Sequence, residues 1–160
     1  MSASDQLYER TNFEALLDAR YYARLHERHA RLYRRIRIAI IVVTLFAGST
    51  AFASAMGNKG IGVGIAGAVV TLMSILDVAF DFGTCAAAHK EHRRRYLKLI
   101  RDWPADLAAA DRRLAELEAK SPGEIENLRN PSYNDNLRSN GRYSEMLKLT
   151  FFERVMSFLA

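Results

Sequence analysis

The stretch IAIIVVTLFAGSTAFASAMG, residues 38–57, decides how the rest of the chain is arranged. It has no charged side chain across twenty residues. As a helix rising about 1.5 Å per residue it would extend about 30 Å, the thickness of a bilayer's hydrocarbon core. A second apolar stretch, GIGVGIAGAVVTLMSIL at residues 60–76, follows after a link too short for anything but a tight turn. The sequence therefore predicts two membrane-spanning helices paired in a hairpin, with both flanking segments on one side.

The charged residues around these stretches predict which side of the membrane that is. The chain has a formal net charge of +5, and its basic residues are concentrated before the first stretch and after the second. The turn between them contains a single lysine, Lys59. Because cytoplasmic segments carry an excess of Lys and Arg, we expect a multi-pass protein of the cell inner membrane with both termini cytoplasmic. The arginines expected to contact anionic lipid headgroups are Arg34, Arg35, Arg37, Arg93, Arg94 and Arg95.

The remaining composition excludes several classes of protein. The mean hydropathy of −0.13 hides the membrane signal, because the apolar residues are concentrated in the middle third. A single cysteine, Cys85, excludes a disulfide framework within the chain. The placement of the basic residues favours topology and lipid contact over nucleic-acid binding. The sequence has no nucleotide-binding loop, HExxH motif, cysteine pair or credible Ser/His/Asp set, so we expect neither an enzyme nor a cofactor.

Helical periodicity continues beyond both apolar stretches. Residues 11–14, TNFE, have the spacing of a capping box, and no Pro or Gly follows until Gly48. Apolar and aromatic residues repeat at three- and four-residue intervals over 22–36 and again over 96–117. We therefore expect the hairpin to continue into the cytoplasm as an antiparallel helix pair, with a kink or break at Pro104.

Together these patterns predict an all-α membrane protein with three regions. Residues 1–10 form a frayed N-terminus. Residues 11–120 form the long hairpin, with membrane spans at about 37–57 and 60–82 and cytoplasmic helices at about 12–36 and 83–120. Residues 121–160 form short helices. The last of these, within 149–159, is amphipathic, and it either lies at the membrane surface or packs on the cytoplasmic pair.

Two acidic residues stand near the cytoplasmic end of the second span. Asp77 and Asp81 are one helical turn apart, and the hairpin turn sets a register in which Asp81 lies level with Arg37. We expect Asp81 to form an ion pair with Arg37 or Arg34 at the membrane edge. Asp77 is either a snorkelled or paired carboxylate, or part of a carboxylate ring at the mouth of an oligomeric pore. The candidates for pore or gate residues are Asp77, Asp81 and Arg37.

Four histidines flank the two spans in two HxxH pairs, HERH at 26–29 and HKEH at 89–92. The same register places His29 level with His89, and His26 level with His92. Because side chains at i and i+3 share a helix face, the four rings could converge to bind zinc or to sense pH. The alternative is four interfacial residues in a basic seam. We expect no metal, because no cysteine or clear carboxylate ligand completes the set.

Small residues recur every four positions in both apolar stretches. In lipid, helices associate by close approach of their backbones, so small residues at this spacing mark contact faces. These faces either pack the hairpin internally or join neighbouring chains into a homo-oligomer. The residues are Ala47, Ala51 and Ala55 in the first stretch, and Gly60, Gly64 and Ala68 in the second.

Several segments match a known family in their order. They are ARLHERHARLYRRI at 23–36, the two spans, LDVAFD at 76–81 followed by HKEHRRRY at 89–96, and YNDNLR at 133–138 with Gly141 downstream. This order resembles the SLATT family, the SMODS- and SLOG-associating two-transmembrane effector domains of bacteria. The family is proposed to supply membrane-perforating effectors in nucleotide-triggered conflict systems. The resemblance implies an oligomeric pore-forming effector in anti-phage defence, triggered by a cytoplasmic sensor or a nucleotide-signal-producing partner. It implies no catalytic residues.

Two other functional classes remain open from the sequence. A non-conducting scaffold would use the hairpin as an anchor and the cytoplasmic helices as a docking surface. A transporter would need a substrate site at mid-membrane, and we rank it lower because the first span is poor in polar residues. Those residues are Thr44, Ser49, Thr50 and Ser54.

Overall fold

A computed structural model of the chain describes residues 10–57 and 60–160, with side chains at all of these except 54–56 and 60–61. The predicted frayed N-terminus, apart from Arg10, and the turn residues Asn58 and Lys59 lie outside the described residues. Within the described ranges every regular element is helical, which confirms the predicted all-α class.

Six α-helices and two short 3-10 turns make up the described part of the chain. The first helix, α1, is continuous for 45 residues and about 68 Å long at about 1.5 Å per residue. The capping box predicted at its start is present, because the Glu14 carboxylate accepts from the Thr11 amide at 2.8 Å and the Thr11 hydroxyl accepts from the Glu14 amide at 3.2 Å. The helices are α1 Asn12–Met56, α2 Gly60–Phe80, α3 Phe82–Arg101, α4 Leu107–Glu118, α5 Arg129–Ser139 and α6 Phe151–Leu159, with 3-10 turns at Glu126–Leu128 and Tyr143–Glu145.

The contact between α1 and α3 forms the centre of the folded part outside the apolar stretches. The rings of Tyr22 and Tyr96 stack with their centroids 5.4 Å apart. On either side of them, Ala19 and Ala23 of α1 are buried in one cluster with Leu99 of α3. Small residues every four positions on α1 let the two backbones approach closely, and the larger side chains of α3 fill the remaining space.

The chain reverses direction between α3 and α4. The break predicted at Pro104 is present, because proline lacks the amide hydrogen that would continue the helix. The carboxylate of Asp106 then accepts a hydrogen bond from the Ala109 amide at 3.0 Å and starts α4 as its N-cap. The predicted cytoplasmic helix 83–120 is therefore two helices joined by a turn.

Contacts with α1 show that α4 runs back beside it. The Trp103 indole donates to the Asn12 side chain at 2.7 Å, so the end of α3 lies at the start of α1. Further along, the Tyr22 hydroxyl donates to the Glu118 carboxylate at 3.0 Å, at the end of α4. Residue numbers increase in the same direction along α1 and α4 between these two contacts. The helix α4 is therefore parallel to α1 and antiparallel to α3. The result is a three-helix bundle beside the apolar pair.

Buried amides attach α5 to this bundle. The Asn136 side chain donates to the Leu17 carbonyl of α1 at 3.1 Å. The Asn134 side chain both donates to the Leu147 carbonyl and accepts from the Leu147 amide, each at 2.8 Å. Each of these asparagines is almost fully buried. Such burial is tolerated because the amide groups have partners, and it holds the otherwise polar C-terminal segment against α1.

Arg28 of α1 joins α5 and α6 to the bundle. Its guanidinium donates to the Asp135 carboxylate at 2.6 and 3.0 Å. The same group donates to the carbonyl and hydroxyl oxygens of Ser157 at 3.2 and 3.1 Å. A planar guanidinium with several N–H donors can hydrogen-bond to both helices at once. Arg28 is 8% exposed, so these bonds are shielded from water.

We expect Arg28→Ala to release the C-terminal segment from α1. The free energy that holds this segment on α1 should fall by about 2 kcal/mol. This is less than for a fully buried ion pair, because Asp135 stays paired with Arg138 at 3.3 Å. Chymotrypsin cleavage at Phe151 and Phe152 should accelerate in the detergent-solubilised protein. The control is Arg31→Ala, which removes an exposed arginine one turn along the same helix. Equal cleavage of both variants would contradict the role of Arg28.

Candidate functional site

The apolar parts of α1 and α2 are long enough to cross a membrane and are almost bare of intramolecular cover. In the most apolar 18-residue window of each span, the buried share of the residues is 0% for the first span and 6% for the second. Side chains such as Phe46 and Val78 are 73% and 83% exposed. Exposing apolar surface to water costs about 25 cal/mol per Å², so helices of this length and exposure suggest a membrane protein.

The predicted small-residue faces divide into a covered and an open part. α1 contacts α2, and Ala47 and Ala51 on α1 are half-buried. On α2, Gly64 and Ala68 are exposed, and a Cβ added at Gly64 would meet nothing within 4 Å. The other predicted members, Ala55 and Gly60, lie outside the residues whose side chains are described. The face of α2 that contains Gly64 and Ala68 is thus not covered by any of the described side chains.

A left-handed residue separates α2 from α3. Asp81 has φ 40 and ψ 55, and it is the only non-glycine residue with positive φ in the described ranges. Its carboxylate accepts from the Thr84 amide at 3.2 Å and caps α3. Aspartate is among the few residues that tolerate this conformation, because its short side chain bonds locally. We call Asp81 to Thr84 the elbow. The sequence pattern predicted one continuous helix here and missed it.

Arg37 lies across the elbow without pairing with Asp81. Its guanidinium occupies the space beside Gly83, where an added Cβ would lie 2.6 Å from Nη1. The structure has no ion pair between Asp81 and either Arg37 or Arg34. The ion pair expected from the register is therefore replaced by a helix cap, since the left-handed backbone turns the carboxylate towards the start of α3.

Asp77 stands one turn deeper in α2 and is half-buried. Among the described residues its carboxylate has neither a hydrogen bond nor an ion pair. The paired alternative expected from the sequence is thus not found within one chain. An unpaired carboxylate in an apolar helix is costly in lipid, which makes it a candidate for contact with water or ions.

The predicted headgroup arginines are partly engaged in ion pairs on the protein surface. Arg93 lies 3.5 Å from Glu27, which joins α3 to α1. Arg94 and Arg95 contact Glu91 at 3.1 and 3.2 Å within α3. Exposed pairs of this kind are weak, so these side chains remain available to anionic groups. The other three, all exposed, are Arg34, Arg35 and Arg37.

The four histidines meet between α1 and α3, as the register places them. The rings of His29 and His89 stack with centroids 4.5 Å apart, and His26 lies 5.2 Å from His89 and 5.3 Å from His92. All four are buried. Nδ1 of His26 and Nδ1 of His89 are 2.9 Å apart, so one ring donates a hydrogen bond and the other accepts it. We refer to these residues as the histidine cluster.

His29 is held in one tautomer by two backbone groups. Its Nδ1 lies 2.8 Å from the Leu25 carbonyl, to which it donates. Its Nε2 accepts from the Ile125 amide at 2.7 Å. A neutral ring with its proton on Nδ1 satisfies both bonds. A proton on Nε2 would face the Ile125 amide hydrogen and break the contact, so neutral His29 holds the segment before α5 against α1.

Burial disfavours the charged form of three of these residues, His26, His29 and His89, and lowers the pKa of each. Desolvation is the main cause that lowers the pKa of His26 to about 3 and of His89 to about 4, and the other histidines lower both further. Desolvation also lowers the pKa of His29. A charged imidazole in this buried space would lose most of its hydration, and the Glu124 carboxylate offsets this only in part at His29.

The geometry of the histidine cluster does not suit a metal ion. Within residues 10–57 and 60–160 no group of three or more His, Cys, Asp or Glu side chains could hold one. Both nitrogens of His29 are used by the backbone, and His26 and His89 point Nδ1 at each other. Nε2 of His26, Nε2 of His92 and the Tyr96 hydroxyl are buried without a partner among the described residues. The observed contacts are those of rings packed in the seam between α1 and α3.

We expect the bundle to lose stability as pH falls below neutral. The unfolded histidines bind protons near pH 6.5, whereas folded His26 and His89 do so only near pH 3 and 4. Between these values the unfolded state binds more protons, so stability rises with pH, by up to about 1.4 kcal/mol per pH unit for each histidine. The measurement is the thermal midpoint of the detergent-solubilised protein between pH 7 and pH 5. A midpoint that does not change across this window would contradict the lowered pKa values of His26 and His89.

The elbow gives a second prediction. Asp81→Asn should retain stability close to that of the unsubstituted protein, because asparagine tolerates positive φ and can cap a helix. Asp81→Ala should lower the free energy of unfolding by about 2 kcal/mol, through the lost cap and the strained backbone. Denaturant unfolding in detergent compares the two. If alanine were as stable as asparagine, the left-handed cap would not be formed.

Comparisons of the chain with protein-family models, with curated proteins and with solved structures find no match. The site is therefore defined by its own geometry. Its parts are two exposed apolar helices, an unpaired Asp77 near the end of one of them, the elbow at Asp81, and the buried histidine cluster in the adjoining bundle.

Proposed function

We propose that this protein is a pore-forming effector that oligomerises in the inner membrane and permeabilises it. In this proposal α1 and α2 form a two-span hairpin, both termini are cytoplasmic, and the α1, α3 and α4 bundle lies in the cytoplasm. The observation that carries the proposal is the combination of two uncovered apolar helices with an unpaired carboxylate, Asp77, near the end of the second. A passive anchor has no need of that carboxylate in an apolar helix.

A conduit requires several copies of the chain. Two helices cannot enclose a water-filled space, so neighbouring hairpins must associate. The open face of α2 at Gly64 and Ala68 supports such an association, because it permits close backbone contact and no described side chain covers it. In the assembly, Asp77 from each copy would form a ring near the cytoplasmic mouth and attract cations.

The cytoplasmic bundle is the part on which a trigger would act. The resemblance to the SLATT family supports a role in a bacterial conflict or anti-phage system, in which a sensor or a nucleotide-signal-producing partner acts on the effector. The bundle contacts the spans through an unbroken α1 and through the elbow. A ligand or partner with different affinities for two bundle arrangements would shift the closed-to-open equilibrium.

A non-conducting scaffold is the second candidate. It is favoured by a cleft of about 580 Å³ between α1 and α5, lined by residues that include Tyr21, Tyr133 and Arg142. A partner seated there would be recruited to the membrane without any leak. The two functions differ in a property that can be measured directly, the permeability of the bilayer.

The test is ion and dye leak from liposomes containing the purified protein. We expect leak with the unsubstituted chain, and an altered conductance or cation preference with Asp77→Asn while cross-linked assembly is retained. Asp81→Asn is the matched control, because its carboxylate already caps α3. Leak that Asp77→Asn leaves unchanged would remove Asp77 from the pore. If the unsubstituted protein and both variants are incorporated into the liposomes and none of them causes leak, the result would favour the scaffold.

A further inference from the structure

The last helix presents its apolar face outwards and its acidic residue inwards. On α6, Phe151, Phe152 and Phe158 are 74%, 68% and 83% exposed, whereas Glu153 is only 7% exposed. The Glu153 carboxylate accepts from the Asn130 side chain and from the Thr150 amide, both at 2.6 Å. A helix that packs on a water-soluble bundle turns its apolar face inwards. α6 is therefore oriented for an apolar environment outside the chain.

The position of α6 places this face at the start of the first apolar stretch. The Arg35 guanidinium donates to the carbonyls of Phe158 and Leu159 at 3.0 and 2.9 Å, which fixes the end of α6 to α1. Next to this contact an apolar cleft of about 270 Å³ is lined by Ile36 and Ala39 of α1, together with Leu159. Arg37, which is the last charged residue before residues 38–57, lies between Ile36 and Ala39 in the sequence.

We infer that α6 is an interfacial helix whose phenylalanine face inserts into the headgroup–acyl boundary of the same bilayer that the hairpin spans. The inference rests on the membrane placement in the proposed function, and it adds a second, in-plane attachment. Both the phenylalanines of α6 and the apolar side chains of α1 from Ile38 onwards are exposed.

The charges around α6 favour a lipid surface as the occupant of this face. Lys148 before the helix and Arg154 within it are exposed, and Arg34 and Arg35 lie exposed on the adjoining turn of α1. The one carboxylate of α6 is turned inwards, as described above. Basic residues flanking an aromatic face are typical of helices that lie on anionic membranes. A second copy of this chain would bring the same positive charges together, which disfavours it as the occupant.

The consequence is a link between the bilayer surface and the bundle. Arg28 and Arg35 both bind α6, seven residues apart on α1. Because both arginines belong to α1, a movement of α1 relative to the bilayer would move α6 within the interface, and a change at the lipid surface would act back on α1. The interfacial helix thus lies between a trigger in the cytoplasm and the spans.

The experiment places spin labels on the full-length chain in vesicles of phosphatidylcholine and phosphatidylglycerol. Cys85→Ser removes the single native cysteine. Labels are then attached at Phe152→Cys and Phe158→Cys on α6, at Val78→Cys on the exposed side of α2, and at Arg112→Cys on the exposed side of α4 as an aqueous control. Collision with oxygen, which concentrates in lipid, is compared with collision with a water-soluble nickel chelate.

We expect the two α6 labels to have an oxygen-to-nickel ratio several-fold above that of the Arg112 label, at a depth of about 5–10 Å. The Val78 label, near the end of α2, should also lie in lipid. The interfacial helix would be overturned, but not the membrane hairpin, if the oxygen-to-nickel ratio at both phenylalanine sites equalled that at Arg112 while the Val78 label still lay in lipid. An aqueous Val78 would overturn both. Spin–spin broadening at the α6 sites, with exclusion of both reagents, would assign this face to a second copy and also overturn the inference.

Discussion

Stacked aromatic rings fix how α1 lies against α3, and every later element depends on that alignment. Tyr22 on Tyr96 and His29 on His89 lock the two helices in one antiparallel register. Because planar rings stack only when they are level, a shift by one turn would separate both pairs. The same register brings Arg37 across Gly83 at the elbow. The end of α3 consequently lies at the start of α1, where the return of α4 begins.

Buried polar side chains, together with an apolar cluster of Leu25, Leu32, Leu128 and Ala160, then attach the C-terminal third of the chain to α1. Arg28, Asn134, Asn136 and Glu153 are buried and bonded across elements, whereas the phenylalanines of α6 and the apolar side chains of α1 and α2 are exposed. In water this distribution would be unfavourable, because apolar burial is the main source of stability. Next to a bilayer it is consistent: lipid takes the apolar surface, and directional bonds define a single arrangement of the remaining helices.

The sequence predicts those parts of the structure that follow from local rules. The capping box at Thr11 and Glu14, the unbroken α1 and the break at Pro104 depend on neighbouring residues alone, and the convergence of the histidines follows once the hairpin turn is placed. The left-handed Asp81 could not be read in this way, since Asp81 also fits a helical pattern and only its bond to Thr84 distinguishes it. The sequence also does not predict that Glu153 points towards the bundle, because the hydrophobic pattern identifies the apolar side of a helix but not what covers it.

The asymmetry between the two spans bears on how a proposed pore would open. α1 runs without interruption from the bundle through its apolar stretch, so a displacement at one end would be transmitted along the helix. α2 is separated from α3 by the elbow, where Asp81 has a left-handed backbone. Hinges in proteins are a few residues at the ends of elements that accept such changes in φ and ψ. A displacement of α3 against α1 would therefore be converted at Asp81 into a tilt of α2, and Asp77 lies on that tilting helix, one turn from the hinge.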